Sequence, residues 1–439
     1  MVDEYKRQRA YYLHSKNNFR KCKSKHNKSE LINNSKSYKR TINKKFKDYQ
    51  KDIVSKLKQL KSTDPKSYWS LLNKYSSEKK EIICKVTNDA FFDHFSLLND
   101  IQDNEDIAVN INNTDDENIS DINKELNRAF TLEEIDRSIK YLKNNKSSSS
   151  FDNILNEYLK NVPENMLQVI CKLFNIIWDS GIFPDIWSKG IILPIYKSKG
   201  DFNNPDNYRG ISILSCFGKL FTSVINNRLN DYLESYNIIC EEQAGFRKHY
   251  STTDHIFSLK IIIDIFLSKN KKLFCAFVDY SKAFDSVNRV ALWQKLVSCN
   301  ITGNCLRIIQ NMYKKAKSCV KTVNDNKMSN FFESFTGVRQ GENLSPVLFS
   351  LFLNDLNQFM SQKYNGLSSL SNIVSEMLSD DDVEVFLKLF VLLYADDTVI
   401  FAENATELQI ALNAMFQYCN LWKLKVNSNK TKVVVFLEK

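Results

Sequence analysis

The chain has 439 residues, room for about three domains at roughly 150 residues each. Hydrophobic residues make up 43% and charged residues 26%, close to the soluble globular average, which excludes collagen-like, disulfide-scaffold and fully disordered architectures. The net charge of +10 is unevenly spread: residues 1–80 carry 23 Lys and Arg against 7 Asp and Glu, and residues 81–139 carry 4 against 15.

The charged opening Met1-Val2-Asp3-Glu4 precedes no apolar segment, and no apolar run reaches the length of a bilayer span, about 18 residues. The chain is therefore read as soluble and intracellular, with no membrane contact. Its ten cysteines are scattered without C-x-x-C spacing, and the five histidines do not cluster beside them. That pattern predicts reduced core thiols rather than zinc modules.

The first 60 residues interleave Lys and Arg with Tyr11, Tyr12, Phe19, Tyr38, Phe46 and Tyr49. From Ile42 the positions Ile42, Phe46, Tyr49, Ile53, Leu57 and Leu60 recur every three or four residues, the period of an amphipathic helix. Residues 1–98 are thus read as a basic, largely helical arm. Its charge suits a salt-sensitive contact with a nucleic-acid backbone; a solvated helix packed on its own neighbour is the alternative. The Asp- and Asn-rich residues 99–130 are read as an acidic linker.

From residue 131 the pattern is globular. Helical period covers 132–142, 155–160, 166–178, 219–236 and 252–267, and strands are predicted at 190–196 and 274–278. The Ser- and Asp-rich segment 361–384 is read as an inserted loop, and 386–393 with 399–401 as a hairpin. Strands and helices mix without regular alternation, so the expected class is α+β.

Two acidic spots each border a strongly apolar strand: Phe277-Val278-Asp279, with Phe284-Asp285 soon after, and Tyr394-Ala395-Asp396-Asp397. A carboxylate there is costly unless paired or bound to a cation. One carboxylate from a strand end and two from a hairpin turn can hold two Mg²⁺ ions about 4 Å apart for phosphoryl transfer. An isolated Asp-Asp pair in a hairpin is more often plain turn chemistry.

In this order, Phe277-Val278-Asp279 with Phe284-Asp285, then Gly337-Val338-Arg339-Gln340-Gly341 with Ser345-Pro346, then Tyr394-Ala395-Asp396-Asp397 resemble motifs A, B and C of the reverse transcriptase palm. Asn427, Lys430 and the Val433-Val434-Val435-Phe436 strand resemble motif D. Upstream, Trp187 to Lys197, Asn207-Tyr208-Arg209 and Gln243-Ala244-Gly245-Phe246-Arg247 resemble the fingers blocks of non-LTR (LINE-type, jockey-like) retrotransposon enzymes. The similarity covers about residues 155–439, and Asp64 to Trp69 is similar to the linker that precedes the polymerase in those elements.

The resemblance implies a right-hand polymerase palm and fingers over 131–439, and an RNA-directed DNA polymerase extending a DNA primer on an RNA template with dNTPs. It implies two Mg²⁺ ions, or Mn²⁺, on Asp279, Asp396 and Asp397. Phe284 matches the aromatic that blocks a 2′-hydroxyl. Gln340 and Gly341 match the turn that approaches the nucleotide. Lys197 (or Lys199) and Arg209 match cations that clamp the triphosphate, and Lys430 matches a general acid for the departing pyrophosphate. Asp285 is expected to cap the next helix or pair with a fingers cation. Glu342 and Asn343 depart from the pattern and are expected to line the same turn, altering nucleotide affinity without loss of a metal ligand. The chain stops at Lys439, so a thumb is expected to be absent, and no endonuclease, zinc knuckle or RNase H segment is visible. The alternative is a truncated remnant that only binds nucleic acid. A viral RNA polymerase fits less well, given Ala395 and Phe284. The implied location is the nucleus and cytoplasmic ribonucleoprotein.

Overall fold

Lys, Arg and other straight-chain residues lose little rotamer freedom in a helix, and the N-terminal segment is helical almost throughout in this computed structural model. It describes residues 2–76, 86–99, 121–144, 150–322, 327–364, 366–367 and 391–437. The chain divides into two units, Met1–Ile83 and Cys84–Lys439.

The first unit holds α1 (Val2–Lys21), α2 (Lys25–Thr63) and α3 (Pro65–Ser76). Ser24 caps α2 by accepting the Asn27 N–H at 3.2 Å. Tyr12 stacks on Tyr38 with ring centroids 5.4 Å apart, and Ser37 Oγ donates to Gln8 Oε1 at 2.9 Å, so α1 lies along the first half of α2. The apolar stripe predicted from Ile42 is helical, yet Ile42, Phe46 and Tyr49 remain exposed. The helix α1, 20 residues against 39 for α2, is too short to cover them.

The second unit begins differently from expectation. The helix α4 (Asn88–Asn99) buries Phe91 and Phe95, and Phe91 meets Tyr208 edge-on at 4.9 Å. Residues 86–98 therefore belong to the larger unit rather than to the basic arm. The expected linker 99–130 likewise contains α5 (Asp121–Asn127), and Leu126 and Phe130 lie in the core. A few apolar side chains at helical spacing outweigh the Asp- and Asn-rich composition around them. Residues 100–120 lie outside the described residues.

Six further elements follow: α6 (Leu132–Lys140), α7 (Asn156–Lys160), α8 (Glu164–Ser180), α9 (Asp185–Ser188), β1 (Lys189–Tyr196) and β2 (Tyr208–Ile213). After them come α10 (Cys216–Ser235), α11 (Thr252–Ser268), β3 (Leu273–Val278), α12 (Arg289–Ser298), α13 (Gly303–Lys314), β4 (Lys317–Val320) and β5 (Phe332–Glu333). The last are α14 (Ser345–Phe352), α15 (Leu356–Ser361), β6 (Val391–Tyr394), β7 (Asp397–Ala402), α16 (Ala405–Leu421) and β8 (Lys432–Phe436). Thr131 and Glu134 form a reciprocal capping box that starts α6, and Gly181 at φ +69° ends α8. Most of the segment 361–384, and residues 386–390 of the predicted hairpin, lie outside the described residues. Among the described residues no helix is long and apolar enough to cross a membrane.

The strands form two four-stranded sheets, ordered β2-β1-β4-β5 and β6-β7-β3-β8. The second is antiparallel throughout, with β3 inside it: Val278 pairs with Thr398 of β7, and Phe277 with Lys432 of β8. The helices α16 and α11 pack on its strands, and α14, which packs on α12, is buried along its length, including Leu348, Phe349, Leu351 and Phe352. Each such side chain contributes about 2 kcal/mol of burial. This packing fixes the level at which the strand ends meet solvent, and the acidic residues sit at those ends.

Candidate active site

The apolar strand β3 ends at Val278, and Asp279 follows it. Two main-chain bonds hold the chain there: Asn427 N–H donates to Asp279 O at 2.7 Å, and Ser281 N–H to Lys425 O at 2.7 Å. Asp396 and Asp397 occupy the tight turn between β6 and β7, where Tyr394 pairs with Asp397 and Ala395 takes a left-handed φ of +59°. The β3–β7 register carries Asp397 to the same end of the sheet as Asp279.

Electrostatics show the convergence. The Asp397 carboxyl is pushed above its ordinary value by burial first, then by the Asp396 and Asp279 carboxylates, with Lys430 opposing. Asp279 Oδ2 is buried without a hydrogen bond, and the Lys430 ammonium stands 3.1 Å from it as an ion pair. Three hard carboxylate donors, one of them paired here with an ammonium, are of the type that suits a divalent cation such as Mg²⁺. Among the described residues, though, no three acidic, His or Cys side chains are gathered closely enough to hold one as they stand.

The other expected site residues border this end of the sheet. Phe284 is half-buried, stacked on Phe349 at 4.8 Å and met edge-on by Phe246 at 6.4 Å. Gln340 O accepts the Ser212 N–H at 2.9 Å. Gly341 has φ +114°, and a Cβ there would lie 2.6 Å from Ser212 O, so the turn requires glycine.

The cations come from a second stretch of chain. Lys197 Nζ donates to Asp206 O at 2.8 Å; partial burial, and then the charges of Lys282, Lys430 and Arg209, lower its pKa. Arg209, opposite Ile195 in the β1–β2 ladder, is exposed and makes no ion pair among the described residues. Lys199 is exposed as well.

Two expectations are corrected. Asp285 does not cap the next helix: Asn288 does, accepting the Ala291 N–H at 3.0 Å. Asp285 instead accepts the Gln340 side-chain amide and forms no ion pair among the described residues. Glu342 and Asn343 do not face the nucleotide turn. Glu342 is buried and accepts from Thr222 Oγ1 at 2.6 Å, while Asn343 Nδ2 donates to Lys219 O at 2.9 Å, so both fasten the turn to α10.

The structure adds residues to which the sequence assigned no role. Lys282 joins the cation group and pairs with Asp206 at 3.2 Å. Gln243 Oε1 accepts the N–H groups of Gly245 and Ala395, at 2.9 and 3.0 Å. Gln243 lies in one of the fingers-like sequence blocks, but its main-chain partner Ala395 is 152 positions away.

Three carboxylates thus come to one end of the second sheet, bordered by Lys197, Lys282, Lys430 and Arg209. The chain belongs to the family described as reverse transcriptase (RNA-dependent DNA polymerase), whose model matches residues 195–436. It is similar to the probable RNA-directed DNA polymerase from transposon BS of Drosophila melanogaster, 30% identical over 310 residues, covering 69% of this chain and 32% of that protein. Similarity to the RNA-directed DNA polymerase from mobile element jockey of the same organism is 26% over 314 residues, covering 70% and 32%. The chain thus spans about a third of the length of the curated relatives it matches. Apo telomerase from Candida tropicalis, truncated from its C-terminal domain, aligns with 60% of this chain and 55% of its own at a TM-score of 0.39 and 14% identity, a likeness too loose to carry an argument.

Proposed function

We propose that this chain is the RNA-directed DNA polymerase of a non-LTR retrotransposon, adding dNTPs to a DNA 3′ end on an RNA template. The observation that carries the reading is the strand register, which brings Asp279 at the end of β3 and Asp396 and Asp397 in the β6–β7 turn to one end of the sheet. Asp279, Asp396 and Asp397 would hold two Mg²⁺ ions, or Mn²⁺. Bound there, such ions supply activation of the attacking hydroxyl and neutralise charge on the leaving oxygens.

The protein's own groups have separable roles. Arg209, Lys197 and Lys282 orient the triphosphate, the arginine through its planar fork. Phe284, backed by Phe349, presents a fixed wall against a 2′-hydroxyl. Gly341 lets the turn's main chain approach the nucleotide, and Lys430 delivers a proton to the departing pyrophosphate. The basic helices of the first unit contact the RNA backbone. A ribonucleoprotein working inside the cell, in nucleus and cytoplasm, follows from an RNA template and a DNA target.

The test is primer extension by the purified chain on an RNA template with Mg²⁺ and dNTPs, beside Asp396→Ala. Extension by the parent chain alone supports the reading. Absence of extension, with equal salt-sensitive RNA binding by both proteins, would reduce the chain to a binding module.

A further inference from the structure

Within the larger unit, a short loop acts as an extra strand against the carboxylate turn. Ala244 N–H donates to Leu393 O at 2.9 Å and Leu393 N–H to Glu242 O at 2.8 Å, making a parallel bridge between Gln243 and Leu393. Where the ladder stops, one side chain continues it. Gln243, 0% exposed, turns Oε1 onto the amides of Gly245 and Ala395. Its Nε2 is buried without a hydrogen bond, so the residue is held in this environment for its acceptor. A Cβ on Gly245 would lie 2.1 Å from Ala395 N, so the loop touches the turn main chain to main chain. From behind, Arg247 donates to Gln243 O at 3.3 Å and to Cys240 O at 3.2 Å, and pairs with Glu234 at 2.9 Å.

We propose that Gln243 is a positioning residue for the Asp396–Asp397 turn: its Oε1 fixes the left-handed Ala395, and through it the place of both carboxylates. Ala395 adopts a backbone conformation that costs a non-glycine residue free energy unless its surroundings enforce it. The Gln243 acceptor supplies that enforcement at the residue immediately before the pair. Without it, the Ala395 amide is a buried donor with no partner, and the turn relaxes toward a conformation that aims the carboxylates elsewhere.

This inference rests on the reading of Asp396 and Asp397 as cation ligands, and the test separates the two. The full chain is compared with Gln243→Met, which keeps volume but loses the acceptor, Gln243→Glu, which keeps an acceptor, and Asp396→Asn. Three quantities are measured: kcat and KM for dNTP in primer extension, Mn²⁺ affinity by electron paramagnetic resonance, and the melting temperature. Displacement by about 1 Å can cost about 100-fold in rate. Gln243→Met is therefore expected to lower kcat about 100-fold with KM within about twofold, and to weaken Mn²⁺ binding about tenfold. Gln243→Glu is expected to restore at least about tenfold of that kcat. The proposal is overturned if Gln243→Met keeps the parent kcat and Mn²⁺ affinity, or if Gln243→Glu is as impaired as Gln243→Met at an equal melting temperature. Failure of the ligand reading shows elsewhere: Asp396→Asn would then bind Mn²⁺ as the parent chain does, and the role of Gln243 falls with it.

Discussion

Gln340 donates its side-chain amide to the Asp285 carboxylate, 3.3 Å to Oδ2. The bond joins the glycine-bearing turn before α14 to the loop that leaves Asp279. Asp285 is largely withdrawn from water, and burial pushes its carboxyl up to about 6, against the opposing charges of Lys282 and Lys197.

The unfolded carboxyl titrates near about 4, so between about pH 4 and about pH 6 the folded chain holds the extra proton. Stability contributed by this group therefore falls as pH rises through that window and stays lower above it. Asp285→Asn removes the charge and keeps an acceptor for Gln340. It is expected to stabilise the chain by about 2 kcal/mol at pH ~7.5 and by little at pH ~4. Urea unfolding at the two pH values measures this; equal gains at both would contradict the assignment.

Gly341 tolerates no side chain, because φ is +114° and a Cβ would meet the main-chain oxygen of Ser212 at 2.6 Å. Gly341→Ala is expected to destabilise by about 2–3 kcal/mol and to raise KM for dNTP. Chemical denaturation and steady-state kinetics read the two effects separately. A variant as stable as the parent would show that the turn moves freely.

Phe284 is held by its stack on Phe349. Truncation to Ala should cost about 2 kcal/mol, below the roughly 3–5 kcal/mol of a fully buried phenylalanine. The functional expectation is separate: incorporation of ribonucleotides relative to deoxyribonucleotides rises at least tenfold, on the order of 1.4 kcal/mol. Single-nucleotide extension with each substrate decides, and an unchanged ratio would remove Phe284 from sugar discrimination.

The basic helices α1 and α2 carry exposed aromatic side chains among their lysines and arginines, Tyr11, Phe46 and Tyr49 included. Deleting residues 1–61 should weaken RNA binding and flatten its salt dependence, by about 0.7 in log–log slope for each phosphate that is no longer neutralised. Binding isotherms between low and moderate salt measure the slope. A deletion that leaves it unchanged would rule out the arm as an RNA-binding element.

Legibility in the sequence followed the physics of each element. The helices α8, α10 and α11 and the strands β1 and β3 were visible because apolar period or a continuous apolar run reports burial directly. β4 and β5, with four and two residues, are too short to show a period. The helix α14 is buried on every side, so no stripe distinguishes it from a strand. Within the site, the carboxylates were conspicuous because charge at the end of an apolar strand is anomalous. Gln243 was not, since a glutamine serving main-chain amides has no spacing signature. Asp285 and Glu342 were misplaced for a related reason: whether Asp285 or Asn288 caps the next helix, and whether the Glu342 side chain is buried against α10, depends on tertiary packing.

The inner position of β3 has a consequence for how evenly the site is held. Asp279 leaves a strand bonded on both sides, to β7 and β8, whereas Asp396 and Asp397 sit on a hairpin whose outer strand, β6, is last in the sheet. Local opening that frees Asp279 must break two ladders; opening at the hairpin breaks one and the short bridge to Gln243. Amide hydrogen exchange should therefore be slowest along Cys275–Val278 and faster at Leu393–Asp397. One wall of the carboxylate site is an anchor, and the other yields first.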